Sequence, residues 1–251
     1  MKSPGWIAAE GLPHGVRGGC ATRACAGVSD ASHGPANYGE RTGDDPFAVA
    51  RNRELLCAAL GLRAQPLWLE QVHGRAVHRY PQDEMSPRQA PPRADACIVR
   101  GPGRAAAVLT ADCLPLLLAG RDEVAAVHAG WRGLAAGVVE ATVAAMQSPS
   151  TTLHAWIGPA IGQDAFEVGP EVRAAFVDAD PGAAGCFRGG RGDRWHADLV
   201  ALARRRLAAL GIARVHGGAW CTHADATRFH SFRRDGARSG RMATLVWREP
   251  G

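Results

Sequence analysis

Three residues able to ligate a metal or act as nucleophile and base occupy matching contexts along this chain. They are His73 in EQVHG, Cys113 in TADCLP and His128 in AVHAGWRG. Each follows an apolar, strand-like segment and precedes a turn. Strand ends facing one crevice can bring such side chains together from distant parts of a sequence. A His2Cys set suits zinc, and three protein donors leave a fourth position for water or substrate, as in catalytic sites. Copper is a second metal that accepts these donors. Two other readings stand beside the metal. Cys113 and His128 can form a nucleophilic dyad, the imidazole lowering the thiol pKa so that thiolate attacks. Alternatively, the thiol and imidazoles are core residues, since Cys is among the most buried residue types. Spacing alone does not choose among them.

The elements that must position these residues are legible as patterns. Asp44-Asp45-Pro46 is a helix start, followed by Phe47, Val49, Ala50, Leu55, Leu56 and Leu60 at roughly helical spacing and closed by Gly61. PLWLEQVHG reads as a strand, and residues 81–92 as an irregular, proline-bearing loop. From Ala94 the texture becomes short apolar strands: ADACIV, AAAVLTADC, PLLLAG and EVAAVHAG. Residues 133–146 predict one amphipathic helix with Leu134, Val138, Val143 and Met146 on a stripe. Further helices are expected from Gly169-Pro170-Glu171 through Phe176 and from Asp198 to Leu210; alternation returns in RVHGGAWCT, RFHSFRRDG and RMATLVW. No linker or repeat divides residues 1–251, so the expectation is a single α+β domain with mixed β-sheets and helices packed outside.

Two places suit an anion. GWRGLAAGVVE puts Trp131 and Arg132 in a glycine-flanked turn at a helix start, where free N–H groups favour negative charge. Arg53 lies beyond the Asp-capped start of the first helix and offers a planar fork for phosphate. Asn37 and the Gly27-Val28-Ser29 loop add groups of the kind that hold a sugar.

Bulk properties narrow the class. Hydrophobic residues make up 46% of the chain and charged ones 21%, which excludes a disordered protein. No apolar run is long enough for a transmembrane helix and no secretory h-region opens the chain, so the expectation is a cytoplasmic protein without a membrane partner. The net charge of +5 is carried almost wholly by arginine, with no basic run interleaved with aromatics, so no nucleic-acid partner is expected. Seven cysteines without a CxxC pair predict neither a zinc ribbon nor a thioredoxin-like motif. The ten histidines include no His-x-His pair, which argues against a multicopper oxidase.

WLEQVHG, ADACIV, TADCLPLLL, VAAVHAGWRGLAAGVVE, WIGPAIG, AFEVGPEV, FHSFRRDG and GRMATLVW occur in an order that resembles the YfiH/laccase-domain family of purine nucleoside phosphorylases, formerly described as polyphenol oxidases. The resemblance runs from about Ala21 to Trp247. It implies a zinc site on His73, Cys113 and His128, which would also be the catalytic residues. It implies an enzyme that uses phosphate to cleave adenosine, inosine and methylthioadenosine to free base and pentose 1-phosphate, and that deaminates adenosine to inosine; a monomer is the default expectation, apart from the resemblance. The family's NR element falls on Asn52 and Arg53, making Arg53 the phosphate candidate, and the nucleoside pocket would draw on Asn37, Gln71, Trp131 and Arg132. The chain departs from the family pattern in TRACAGVS, where Ala26 replaces a glycine, and in Ala36-Asn37-Tyr38-Gly39. Alternatives in other classes are a cysteine hydrolase acting on a cell-wall precursor through Cys113 and His128, a polyphenol oxidase (laccase), and a non-enzymatic binding module.

Overall fold

The alternation of apolar residues from Ala94 onward is realised as two facing sheets. The computed structural model describes residues 5–80 and 90–250. In chain order the first strands are β1 (Trp6–Ala8), β2 (Val16–Ala21), β3 (Val77–Arg79), β4 (Ala96–Arg100), β5 (Ala105–Thr110), β6 (Leu114–Ala119) and β7 (Glu123–Ala129). They are followed by β8 (His154–Ile157), β9 (Glu167–Val168), β10 (Phe187–Gly189), β11 (Trp195–Ala197), β12 (Arg214–Gly217) and β13 (Met242–Arg248). The helices are α1 (Pro46–Leu60), α2 (Trp131–Ala135), α3 (Val138–Ala145), α4 (Pro170–Val177), α5 (Leu199–Ala209) and the single turn α6 (Phe232–Asp235).

A six-stranded sheet runs β12-β8-β6-β7-β4-β3, antiparallel except at its two edges. A four-stranded antiparallel sheet runs β1-β2-β13-β5, and three short strands pair as β10-β11-β9. Side-chain parity assigns the layers. In β7, Val124 and Ala126 face the second sheet, whereas Ala125, Val127 and Ala129 face the helices; in β6, Leu117 and Ala119 face one way and Leu114, Leu116 and Leu118 the other. The core between the sheets is closed by Cys20, Val108, Val246 and Trp156, and α3, α4 and α5 cover the outer face of the larger sheet. Leu56 of α1 packs on the outer face of the smaller one with Ala107, Leu245 and Trp247. Each fully buried leucine of β6 removes enough apolar area to contribute about 1.5–3 kcal/mol. The expected α+β domain with mixed sheets and outer helices is therefore the fold. Among the described residues no helix is long and apolar enough to cross a membrane.

Local chemistry explains the helix limits. The Asp45 side chain accepts from the Phe47 N–H, Pro46 needs no partner at the first position, and Gly61 ends α1 at φ 67°. Asp198 caps α5 in the same way through Ala201. Three expectations need correction. The single helix expected over residues 133–146 is split into α2 and α3 by Gly137, whose φ of 89° is left-handed. PLWLEQVHG is not a strand but an extended segment bridged only at Leu67 and Glu70. RFHSFRRDG does not alternate; its FRRD forms α6, capped by Ser231. The loop expected at 81–92 lies, through residue 89, outside the described residues.

Candidate active site

The site forms where β4 and β6 begin and β7 ends. His128 continues the inward parity of Val124 and Ala126, one residue before β7 stops, and its backbone pairs with Pro115. Cys113 stands immediately before β6. His73 comes from the loop after the bridged segment, held at φ 58°, a left-handed conformation rare for a non-glycine residue. The three donor atoms lie within 4.8 Å of one another, with Cys113 Sγ 3.9 Å from His73 Nε2.

Asp95, fully buried just ahead of β4, organises all of this. Its Oδ1 meets His128 Nδ1 at 2.8 Å and accepts from the His73 N–H at 2.9 Å; its Oδ2 accepts from the N–H groups of Gly74 (2.7 Å) and Val72 (3.3 Å). The carboxylate thus shapes the 72–74 loop and fixes the orientation of the His128 ring, leaving Nε2 for a ligand. Burial would raise the Asp95 pKa, but the His128 bond and the loop N–H groups outweigh it and the net shift is downward. Burial also pushes the Cys113 thiol up, yet His128 and His73 bring it down to about 6. Burial pushes His128 down, and the Cys113 thiolate and Asp95 raise it to about 9. The two shifts run in the direction that favours thiolate on Cys113 and a charged imidazole on His128.

These donors fit zinc. A tetrahedral ion bound at ordinary lengths separates sulfur and nitrogen ligands by roughly 3.6 Å, close to the spacing here. The glycines of HAGWRG make room for it. A Cβ at Gly130 would meet Cys113 Sγ at 2.9 Å and His73 Cδ2 at 3.3 Å; one at Gly133 would meet the Gly74 carbonyl oxygen at 2.8 Å. The turn therefore serves close approach more than anion binding: α2 is only five residues long, and its cap is glycine.

The trio lies in the wall of a cavity of about 550 Å³ lined also by Trp68, Trp131, Phe166, Phe232, Arg233 and Arg241. A family profile described as "Multi-copper polyphenol oxidoreductase laccase" matches residues 17–249. The purine nucleoside phosphorylase YfiH of Shigella flexneri is 45% identical over 238 residues, 94% of this chain and 95% of that protein. A purine nucleoside phosphorylase of Pseudomonas aeruginosa is 48% identical over 248 residues, covering 98% and 97%. The chain belongs to the YfiH laccase-domain family. Its fold matches the crystal structure of a Neisseria meningitidis protein with a TM-score of 0.91 at 42% identity, covering 98% of this chain and all of that one. YlmD from Geobacillus stearothermophilus matches at 0.89 and 27% identity, covering 100% and 98%.

Of the pocket residues suggested by resemblance to the YfiH family, Arg53, Gln71 and Trp131 line the cavity, and Asn37 and Arg132 do not. Arg53 is fully engaged: Nε and Nη2 donate to the Tyr38 carbonyl at 3.0 and 2.9 Å, Nη1 pairs with Glu40, and the guanidinium lies 4.4 Å over Trp68. Gln71 clamps Leu109, accepting from its N–H at 2.7 Å and donating to its carbonyl at 2.8 Å. Asn37 is fully buried; its amide donates to Thr42 and Asp44, and its oxygen accepts from the N–H groups of Gly39 and Arg241. The Gly27-Val28-Ser29 loop is tied down by Asn52, which accepts from the Val28 N–H and donates to Ser29 Oγ. Ala26 is exposed, so the family's glycine is dispensable there, whereas a Cβ at Gly27 would meet the Pro35 oxygen at 1.9 Å. Arg132 is exposed and stacks on Trp131.

Sequence pattern marked Arg233, with Arg234, as a local basic cluster, but it did not single out Asp95, Asp112 or Arg241. Asp112, buried at φ 87°, accepts from Thr222 Oγ1 (2.6 Å), Ser231 Oγ (3.0 Å) and the Arg233 N–H (2.6 Å). An aspartate entering an apolar run, as in RADACIV and TADCLP, was the available signal.

Proposed function

We propose that this chain is a metal-dependent purine nucleoside phosphorylase that works on adenosine, inosine and methylthioadenosine, and that the same cavity deaminates adenosine. The observation that carries the reading is the convergence of His73, Cys113 and His128, all from one chain, in the wall of a nucleoside-sized cavity. The names of the relatives supply the substrate class.

His73 Nε2, Cys113 Sγ and His128 Nε2 would hold zinc, which supplies a Lewis acid with an open position when bound. Asp95 keeps the His128 proton on Nδ1. Trp131, Phe166 and Phe232 offer flat faces for a purine and keep water from the reacting bond. In phosphorolysis an oxygen of hydrogen phosphate bonds to C1′ as the C1′–N9 bond breaks. The electron pair leaves with the purine, and the phosphate's proton ends on the base. In deamination, water is taken up and ammonia leaves from C6.

A second reading rests on the low-pKa Cys113 beside His128, which is the arrangement of a cysteine hydrolase. Zinc-loaded and chelator-stripped protein should be assayed on adenosine and inosine, with and without phosphate. Base plus pentose 1-phosphate, formed only by the loaded protein with phosphate, is the expected result. Absence of both phosphorolysis and deamination would sink the proposal, and hydrolysis surviving complete metal removal would favour the dyad.

A further inference from the structure

Four arginines line the cavity, and they are not equivalent. Arg41 pairs with Glu70 at 2.9 Å, and Arg53 is neutralised by Glu40. The oxygens of Asp112 are taken by Thr222, Ser231 and the Arg233 N–H. Among the described residues neither Arg233 nor Arg241 has a carboxylate within salt-bridge distance; Asp112 and Cys113 act on Arg241 only from farther away, so neither guanidinium is closed off by a direct ion pair.

Both side chains are held the same way. Arg233 donates through Nη1 to the carbonyls of Glu167 (3.1 Å) and Ala165 (3.5 Å), with its guanidinium 5.5 Å from the Phe166 ring centre. Arg241 donates through Nη1 to the carbonyls of Ser239 (2.6 Å) and Gly240 (3.0 Å), with its guanidinium 5.8 Å from the Phe232 ring centre. Each thus spends Nη1 on backbone and leaves its Nε/Nη2 edge, the side that grips a phosphate through two parallel bonds. Their backbones are pinned by buried anchors: Asp112 accepts the Arg233 N–H at 2.6 Å, and Asn37 accepts the Arg241 N–H at 2.8 Å. Orientation is therefore largely in place before any anion arrives.

We propose that Arg241 and Arg233, rather than Arg53, form the oxyanion subsite of this cavity and that its ligand is inorganic phosphate. The assignment rests on the phosphorylase reading for the identity of the ligand. Asn37 and Asp112 become positioning residues for the two forks, and Arg53 becomes a strut that fixes the Tyr38–Glu40 segment against Trp68.

The test is the Michaelis constant for phosphate, at saturating inosine, in Arg241→Gln, Arg233→Gln, Arg241→Lys and Arg53→Gln, with phosphate binding to the same proteins followed by 31P NMR. Losing one charged two-bond contact should raise the phosphate KM roughly 10- to 100-fold in Arg241→Gln and Arg233→Gln, with the inosine KM changed less than about threefold. Arg241→Lys keeps the charge without the fork and should fall between, which also covers a glutamine variant that fails to fold. A phosphate KM unmoved in the Arg241 and Arg233 variants, or moved most in Arg53→Gln, overturns the assignment. If the wild-type protein forms no pentose 1-phosphate, the phosphorylase reading fails. The NMR arm still decides the subsite: weaker phosphate binding in the Arg241 variants upholds it, and unchanged binding rejects it. An Arg241-dependent affinity greater for a nucleoside 5′-monophosphate than for phosphate would reject inorganic phosphate as the ligand.

Discussion

Asp95 and Asp112 are both buried carboxylates beside the same cavity, each gathering several donors, yet they organise different things. Asp95 binds a loop that lies 21–23 residues before it and a histidine 33 residues after it. One of those partners titrates and is itself a candidate ligand, so Asp95 sets charge as well as shape. The partners of Asp112 lie 110 to 121 residues further along the chain and are two hydroxyls and a backbone N–H. It fixes where a distant segment, Ser231 to Arg233, lies against the site. One aspartate holds the metal ligands and the other holds the wall. Variants that separate these two duties test the whole reading of the cavity.

The largest effect is expected at Asp95. Asp95→Ala leaves the Nδ1 of His128 and three loop N–H groups without their acceptor, at a cost of about 3–5 kcal/mol for breaking a buried charged pair. Loss of the group that orients a ligating histidine should also weaken metal binding about 10- to 100-fold. Denaturant unfolding together with zinc content by elemental analysis checks both. Full zinc occupancy in a destabilised Asp95→Ala would break the comparison, because the carboxylate would then be structural only.

Asp112→Asn should cost less and cost something else. The amide tolerates the left-handed backbone, and its oxygen can still accept from both Ser231 and the Arg233 N–H, more weakly than a carboxylate, but the NH2 that replaces Oδ1 leaves the buried Thr222 hydroxyl without its acceptor. A destabilisation of about 1–3 kcal/mol follows from an unsatisfied buried donor. Zinc content should stay at the wild-type level while the phosphate KM rises. Equal loss of zinc in both aspartate variants would show that wall and metal site are one cooperative unit.

How much of this was legible beforehand follows from what each feature depends on. The sheet core was readable because β4 to β7 are continuous apolar runs whose burial on both faces needs no long-range information. The helix limits at Asp45, Gly61 and Asp198 were readable because caps are local. The clustering of His73, Cys113 and His128 was suggested by matching strand-end contexts, but only the register of β4, β6 and β7 brings them together. Gly137 looked like one more residue inside a helical period; its left-handed φ becomes evident only once α2 and α3 have packed. Arg53 was picked for its charge and position in a helix, and no spacing could reveal that Tyr38 and Glu40 consume it. Arg241 was invisible for the opposite reason: its significance is the partner it lacks.

The smallest effect sharpens the comparison through pH. His230 precedes Ser231, an Asp112 partner, and its Nε2 donates to the Ala36 carbonyl at 3.1 Å, beside Asn37. Burial, with Arg23 and Arg241 adding repulsion, outweighs that bond and lowers its pKa to about 4. The folded protein therefore binds this proton less well than the unfolded chain, whose histidine titrates near 6.5. Stability from a neutral His230 is complete above about pH 7 and declines as the pH falls towards 4, reaching a loss of about 1.4 kcal/mol by pH 5.5. His230→Gln can still donate to Ala36 but has no proton to gain. Its unfolding free energy should therefore decline less than the wild type's between pH 7.5 and 5.5, by that amount. The difference between the two proteins cancels the titration of Cys113, His128 and Asp95, which both share. Identical pH slopes would mean that His230 takes up its proton as readily in the folded as in the unfolded state, and that the segment Asp112 anchors is wetter than its burial indicates.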